Sequence, residues 1–144
     1  MQVSEILRVK GNVLYTIPME GSAIDAVKAM ADHNMGSLVV FEKGRMVGLL
    51  TFHEVLGAMS DRDGRLDGVR VGDIMQRDPV TAAPKMELDQ LRRVMLETGA
   101  RYLPVMDGGD LLGVISFRDV AKAVLEEQDF ENRMLKGYIK NWPD

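Results

Sequence analysis

Two kinds of apolar spacing alternate along this chain, and they do so twice. Ala23, Ala26, Val27 and Met30 recur at intervals of three and four, and Leu88, Leu91, Met95 and Leu96 do the same, the spacing of one face of an amphipathic helix. After each comes a pair of short apolar runs. Residues 38–41 and 46–50 are divided by Lys43-Gly44, and residues 103–106 and 111–115 by Gly108-Gly109. Runs of that length around a glycine-bearing pair predict β-hairpins. A further helix is expected from Thr51, carrying Val55, Leu56 and Met59, and from Ser116, carrying Val120, Val124 and Leu125. With short extended pieces at residues 15–17 and 80–82, the unit is β-α-β-β-α.

The unit is a repeat in residues as well as in pattern. A shift of 65 lays GSLVVFEKGRMVGLLTFHEV, from Gly36, on RYLPVMDGGDLLGVISFRDV, from Arg101, without a gap. Identities fall at Thr16 and Thr81, Met30 and Met95, Leu38 and Leu103, Val40 and Val105, Gly44 and Gly109, Gly48 and Gly113, Phe52 and Phe117, and Val55 and Val120. The openings VSEIL, from Val3, and VGDIM, from Val71, match at an offset of 68 instead, so the first copy carries three extra residues near 10–12. A unit of roughly sixty residues makes a marginal core alone. The expected architecture is therefore α/β (α+β): two tandem repeats, 1–62 and 63–128, sharing an interface as one module.

Between the repeats, SDRDGRLDG from Ser60 is polar and glycine-bearing, the composition of a linker. The tail, 129–144, repeats nothing. Phe130, Met134, Leu135, Tyr138 and Ile139 fall on one stripe of a separate helix that Trp142-Pro143 would end. That stripe fits docking on its own module or a dimer contact. Four amphipathic helices and a striped tail are more apolar face than so small a core covers, and a homodimer is expected.

Composition narrows the function. Eighteen Lys and Arg against 22 Asp and Glu leave a net charge of −4, so no basic surplus exists to neutralise a nucleic-acid backbone. Zero Cys and two His argue against thiolate zinc sites, a cysteine nucleophile and imidazole-rich metal centres. No window approaches a membrane span, and MQVSEILRVK has no apolar signal core; a cytoplasmic protein is expected. His33 is expected as a polar helix end. Asp61-Arg62-Asp63-Gly64 lacks the remaining spacing of a calcium loop. Eleven Met fit core filling or a repackable interface.

The segments GLLTFHE, from Gly48, and GVISFRD, from Gly113, are the most informative. A hydroxyl at a helix start with a carboxylate three residues on is a capping box. It also offers an anion a hydroxyl, amides and a positive helix end, beside a carboxylate able to accept from a ribose diol. Both readings stand on the residues alone. No convergent base, nucleophile or metal set is visible, since Ser116 and Asp119 lie on one helix and neither His is tied to them.

Together, the doubled unit, DIMQRDPVTAAP from Asp73, RYLPVMD from Arg101 and GVISFRD from Gly113 resemble a pair of cystathionine-beta-synthase (CBS) domains, a Bateman module, over roughly residues 3–128. The resemblance implies a non-catalytic regulatory module that binds adenosyl ligands such as AMP, ADP, ATP or S-adenosylmethionine and signals occupancy to a partner protein. It implies that Asp119 holds the ribose, that Ser116 and Arg118 face phosphate, and that Val80, Thr81, Tyr102, Leu103 and Pro104 wall the adenine. The first copy offers Thr16, Leu38, Val39, Thr51, His53 and Glu54 at the matching places as a weaker second site. There the acid is one methylene longer, Val39 stands for Pro104, and His53 for Arg118. The competing function is a ligand-free dimerisation scaffold whose hydroxyl and acid pairs only cap helices.

Overall fold

In the computed structural model, described for residues 1–11 and 14–140, each hairpin forms where the apolar runs place it. β2 (Ser37–Glu42) pairs antiparallel with β3 (Arg45–Thr51), and β5 (Tyr102–Asp107) with β6 (Asp110–Ser116). Lys43 and Gly44 both take positive φ, 52° and 76°, the backbone that a tight hairpin turn requires. The repeat extends to its irregularities: the register shifts between Val40 and Phe41, and between Val105 and Met106, 65 residues on. β1 (Thr16–Pro18) adds to β2 in parallel. Its counterpart in the second copy shrinks to one parallel bridge between Ala82 and Val105.

Helices α2 (Ala23–Asp32), α3 (Phe52–Asp61) and α5 (Leu88–Thr98) occupy the positions their periodicity predicts. α6 differs: it runs Phe117–Lys140 without a break, so the expected second helix and the tail helix are one element of 24 residues. At 1.5 Å per residue it is about 36 Å long. Phe130, Met134 and Leu135 are each about 60% exposed and do not dock on their own module. The expected stop at Trp142-Pro143 and the side chains of Tyr138 and Ile139 lie outside the described residues.

Two buried clusters form the cores, and their membership crosses the repeats. The first gathers Ile17, Ala26, Leu38, Val40, Leu50 and Val55 with Leu66, Val69, Val71 and Met75 from beyond the first repeat. The second gathers Leu91, Leu103, Val105, Ile115 and Val120 with Val3 and Ile6 from the chain's opening. The openings are thus exchanged. α1 (Val3–Lys10) packs on the second repeat, where Val3 N–H donates to the Met86 carbonyl at 2.9 Å. α4 (Val71–Ile74), followed by β4 (Gln76–Arg77) on the edge of β3, packs on the first, where Val71 N–H donates to the Gly21 carbonyl at 2.8 Å. The segment expected as a linker is accordingly part of a core, with Leu66 buried. Each exchange gives a short unit apolar surface its own sequence lacks and ties the two together.

Glycine makes the exchanged helices fit. A Cβ on Gly113 would meet the Leu7 side chain at 3.0 Å, and one on Gly48 would meet Met75 Sδ at 2.7 Å and the Gln76 carbonyl at 2.6 Å. Gly48 and Gly113 therefore let α1 and the end of α4 lie close on β6 and β3. Among the described residues no helix is long and apolar enough to cross a membrane.

Candidate functional site

Both hydroxyl and acid pairs are capping boxes. Ser116 N–H donates to Asp119 Oδ2 at 2.8 Å, and Asp119 N–H donates to Ser116 Oγ at 3.2 Å. In the first copy Thr51 donates to Glu54 Oε1 from both its backbone N–H and its hydroxyl, each at 2.8 Å, while His53 N–H donates to Thr51 Oγ1. The helix starts are less open to an anion than their sequences imply, because Phe117 N–H donates to the Arg101 carbonyl at 2.8 Å and Phe52 N–H to the Gly36 carbonyl at 3.1 Å.

The exchanged segments supply each acid with a further partner. Gln76, just past α4, donates from Nε2 to Glu54 Oε2 at 3.0 Å. Lys10, the last residue of α1, donates from Nζ to Asp119 Oδ2 at 2.7 Å and to the Val114 carbonyl at 2.7 Å. The first acid faces a neutral amide and the second an ammonium.

A cavity of about 920 Å³ opens between the repeats, at the upper end of the roughly 300–1,000 Å³ of small-molecule sites. The second repeat contributes Met95, Leu96, Arg101, Tyr102, Ser116, Phe117, Arg118 and Asp119; the first contributes Tyr15, Met35, Ser37, Val39 and Phe52, with Lys10 and Leu14 from the chain's opening. Strand alternation explains the split. Leu38 and Val40 point into the first core, so Val39 between them points the other way, toward the cleft. The charge is lopsided: Lys10, Arg101 and Arg118 face one carboxylate, Asp119, in a protein that is acidic overall.

Aromatic rings fix the walls. Tyr15 stacks on His33 with centroids 3.9 Å apart, which gives the helix-ending His33 a packing role. Tyr102 meets Phe52 edge-on at 6.2 Å, across the two repeats. Burial holds the Tyr102 phenol above the usual tyrosine range, with Arg101 pulling the other way, so the ring enters the cleft uncharged at neutral pH.

Of the expected nucleotide residues, Tyr102, Ser116, Arg118 and Asp119 come together on this cavity. Leu103 is a core residue and Pro104 is fully buried beside it, while Val80 and Thr81 are exposed and lie off the cavity. Of the residues expected at the first copy's site, only Val39 lines the cleft. Thr16 is exposed, Leu38 is core, and Thr51, His53 and Glu54 line neither this cavity nor a second one of about 470 Å³ between α1 and α6. Lys10, Tyr15, Phe52, Arg101 and Phe117 join the cleft without having been expected as site residues, although Phe52, Arg101 and Phe117 stand inside the quoted motifs. The signal for Lys10 was the three-residue excess beside it.

The CBS domain model matches the chain twice, over residues 3–61 and 71–126. A 17.7 kDa protein of Acidianus ambivalens is 34% identical over 127 residues, covering 87% of this chain and 74% of its own. Among solved structures, a CBS-domain protein from Burkholderia ambifaria superposes with a TM-score of 0.83 at 30% identity over 89% of this chain and 96% of that one. The structure of CBSX2 in complex with AMP superposes with a TM-score of 0.72 at 25% identity over 88% and 98%.

Proposed function

The chain belongs to the CBS-domain family, and on that footing we propose that it is a non-catalytic regulatory module, a Bateman-type pair of repeats (1–62 and 63–128, with the tail 129–144), that binds an adenine nucleotide in the cleft between them. The observation that carries this reading is the cleft's lining, which combines three cations and a carboxylate with aromatic and aliphatic walls. That is the complement of a ligand with a phosphate, a diol and a flat apolar ring. The AMP held by CBSX2, which shares this fold, supports the same class.

In this reading Asp119 accepts from the ribose hydroxyls, Arg118 and Ser116 face the phosphate of AMP, ADP or ATP, and Tyr102 packs on the base near the strand that carries Leu103 and Pro104, with Val80 and Thr81 at its margin. The second place, around Thr16, Leu38, Val39, Thr51, His53 and Glu54, is the weaker one. A ligand that touches both repeats shifts their arrangement by its differential affinity for it, and a homodimer passes that shift to a regulated protein. The apolar residues Val27, Leu56, Leu96 and Leu125, left in solvent on four different helices, support the dimer. Zero cysteines suit the reducing cytoplasm in which we place the protein.

A thermal-shift panel of AMP, ADP, ATP, S-adenosylmethionine and NADH tests the reading. A ligand at 100 times its dissociation constant stabilises by about 2.7 kcal/mol, roughly 5–10 °C for a chain of this size. A shift with phosphate-bearing adenine nucleotides supports it; a flat response to all five leaves a dimerisation scaffold.

A further inference from the structure

The two acids of the repeats are treated differently by equivalent segments. Lys10 ends one exchanged helix and Gln76 lies just past the other, and each donates to the acid of the repeat it has joined. At Glu54 the donor is an amide. At Asp119 it is an ammonium, carried there by an α1 of eight residues where α4 has four. The three-residue excess in the first repeat therefore has a consequence at the second repeat's acid.

Among the described residues, both hydrogen bonds that the Asp119 carboxylate accepts fall on one oxygen. Oδ2 accepts from Ser116 N–H at 2.8 Å and from Lys10 Nζ at 2.7 Å. A carboxylate offers about two lone-pair sites on each oxygen, and a vicinal diol gripped by both oxygens needs one on each. The capping bond from Ser116 belongs to the helix. The bond from Lys10 is the exchangeable one, since Lys10 and Asp119 keep 29% and 21% of their side-chain surface in solvent.

Lys10 also stands at a junction. With Arg118 and Asp119 it lines both the large cleft and the second cavity between α1 and α6. An ammonium released there lies beside the place where a phosphate would meet Arg118, and four flexible methylenes let it turn without moving the helix.

We propose that Lys10 is a specificity-determining residue of the cleft: it and the ribose diol compete for Asp119, and a ligand phosphate takes up the displaced ammonium. This inference rests on the nucleotide reading and goes beyond it. A nucleoside must break the Lys10–Asp119 pair without replacing it, whereas a nucleotide replaces it with a second charge-assisted bond. The lysine penalises adenosine and favours AMP, so the site reports phosphorylated ligand rather than any adenosyl compound.

Calorimetry with AMP and with adenosine on the wild type, Lys10→Met and Lys10→Arg tests it. The expected result is that Lys10→Met weakens AMP about tenfold, the low end for one charged hydrogen bond, while adenosine binds equally or more tightly. Lys10→Arg should keep most of the wild-type AMP-to-adenosine ratio. Equal weakening of both ligands by Lys10→Met makes Lys10 a structural anchor for α1 and overturns the inference, as does an unchanged ratio. Lys10→Gln, which keeps a donor, serves if the methionine variant does not fold, with the same loss of ratio expected. A wild type that binds neither ligand overturns the nucleotide reading and this one together; a wild type that binds AMP while the variants leave the ratio alone overturns this one only.

Discussion

The Tyr102 hydroxyl of the second repeat lies over Gly36 of the first so closely that a Cβ there would collide with it and would meet the Phe52 ring at 2.9 Å. Gly36 corresponds in the repeat to Arg101, so the two copies differ where their hairpins approach. The small residue in one makes room for the large ring of the other.

Gly36→Ala should therefore open the junction and destabilise the protein by about 1 kcal/mol, the low end for overpacking, because Gly36 and Tyr102 are only partly buried. Because the phenol oxygen is the nearest atom, Tyr102→Phe in the same chain should recover part of the loss. Urea unfolding of the two single variants and the double variant reads the coupling; an alanine variant as stable as the wild type would show that Tyr102 swings aside freely.

The homodimer should be held by the helix faces that Leu56, Leu96 and Leu125 leave in solvent, with the far half of α6 contributing Phe130, Met134 and Leu135. Light scattering on the full chain and on a chain ended after Gln128 measures both parts. Dimers from the full chain that weaken on truncation are expected. Monomers from both would remove the dimer, and dimers of unchanged strength would remove only the tail's share.

Arg118→Ala should weaken AMP by about 1.5 kcal/mol, the lower end for a charged hydrogen bond at an exposed guanidinium, and leave adenosine nearly unchanged. Equal losses for both ligands in calorimetry would make Arg118 a structural residue of α6.

The second repeat's acid should carry the binding. Asp119 lines the cleft, whereas Glu54 takes two bonds from Thr51 and one from Gln76 and lies off it. Asp119→Asn, which keeps the side chain's shape and one acceptor, should abolish most AMP affinity, and Glu54→Gln should cost little. Both acids cap helices, so each variant needs a melting curve beside its titration. A loss in Glu54→Gln as large as in Asp119→Asn would reverse the assignment.

The hairpins and the capping boxes were legible in the residues alone, because each rests on residues within a few positions of one another, and the doubled unit was legible because the same local pattern recurs 65 residues on. Leu38 to Leu50, Thr51 to Glu54 and Ser116 to Asp119 are local relationships, and periodicity and side-chain chemistry report them directly. Asp119, Ser116, Arg118 and Tyr102, which the family resemblance names together, line one cleft, and they stand in short stretches of chain that a motif can mark.

The relationships that cross the repeats emerge only once the chain is folded. That Val3 and Ile6 fill the second core and Val71 and Met75 the first follows from the exchange of two short helices, and apolar burial has no direction along the chain from which the exchange could be read. The same exchange brings Lys10 to Asp119, 109 residues away. The continuity of α6 was hidden because both helical stretches have the same period and no breaker lies between them, so nothing local marks one helix or two. And the apolar wall came out differently from its motif: Leu103 went to the core and Val39 to the cleft, because the pleat sends neighbouring residues to opposite faces and only the packing of helices on one face says which is which.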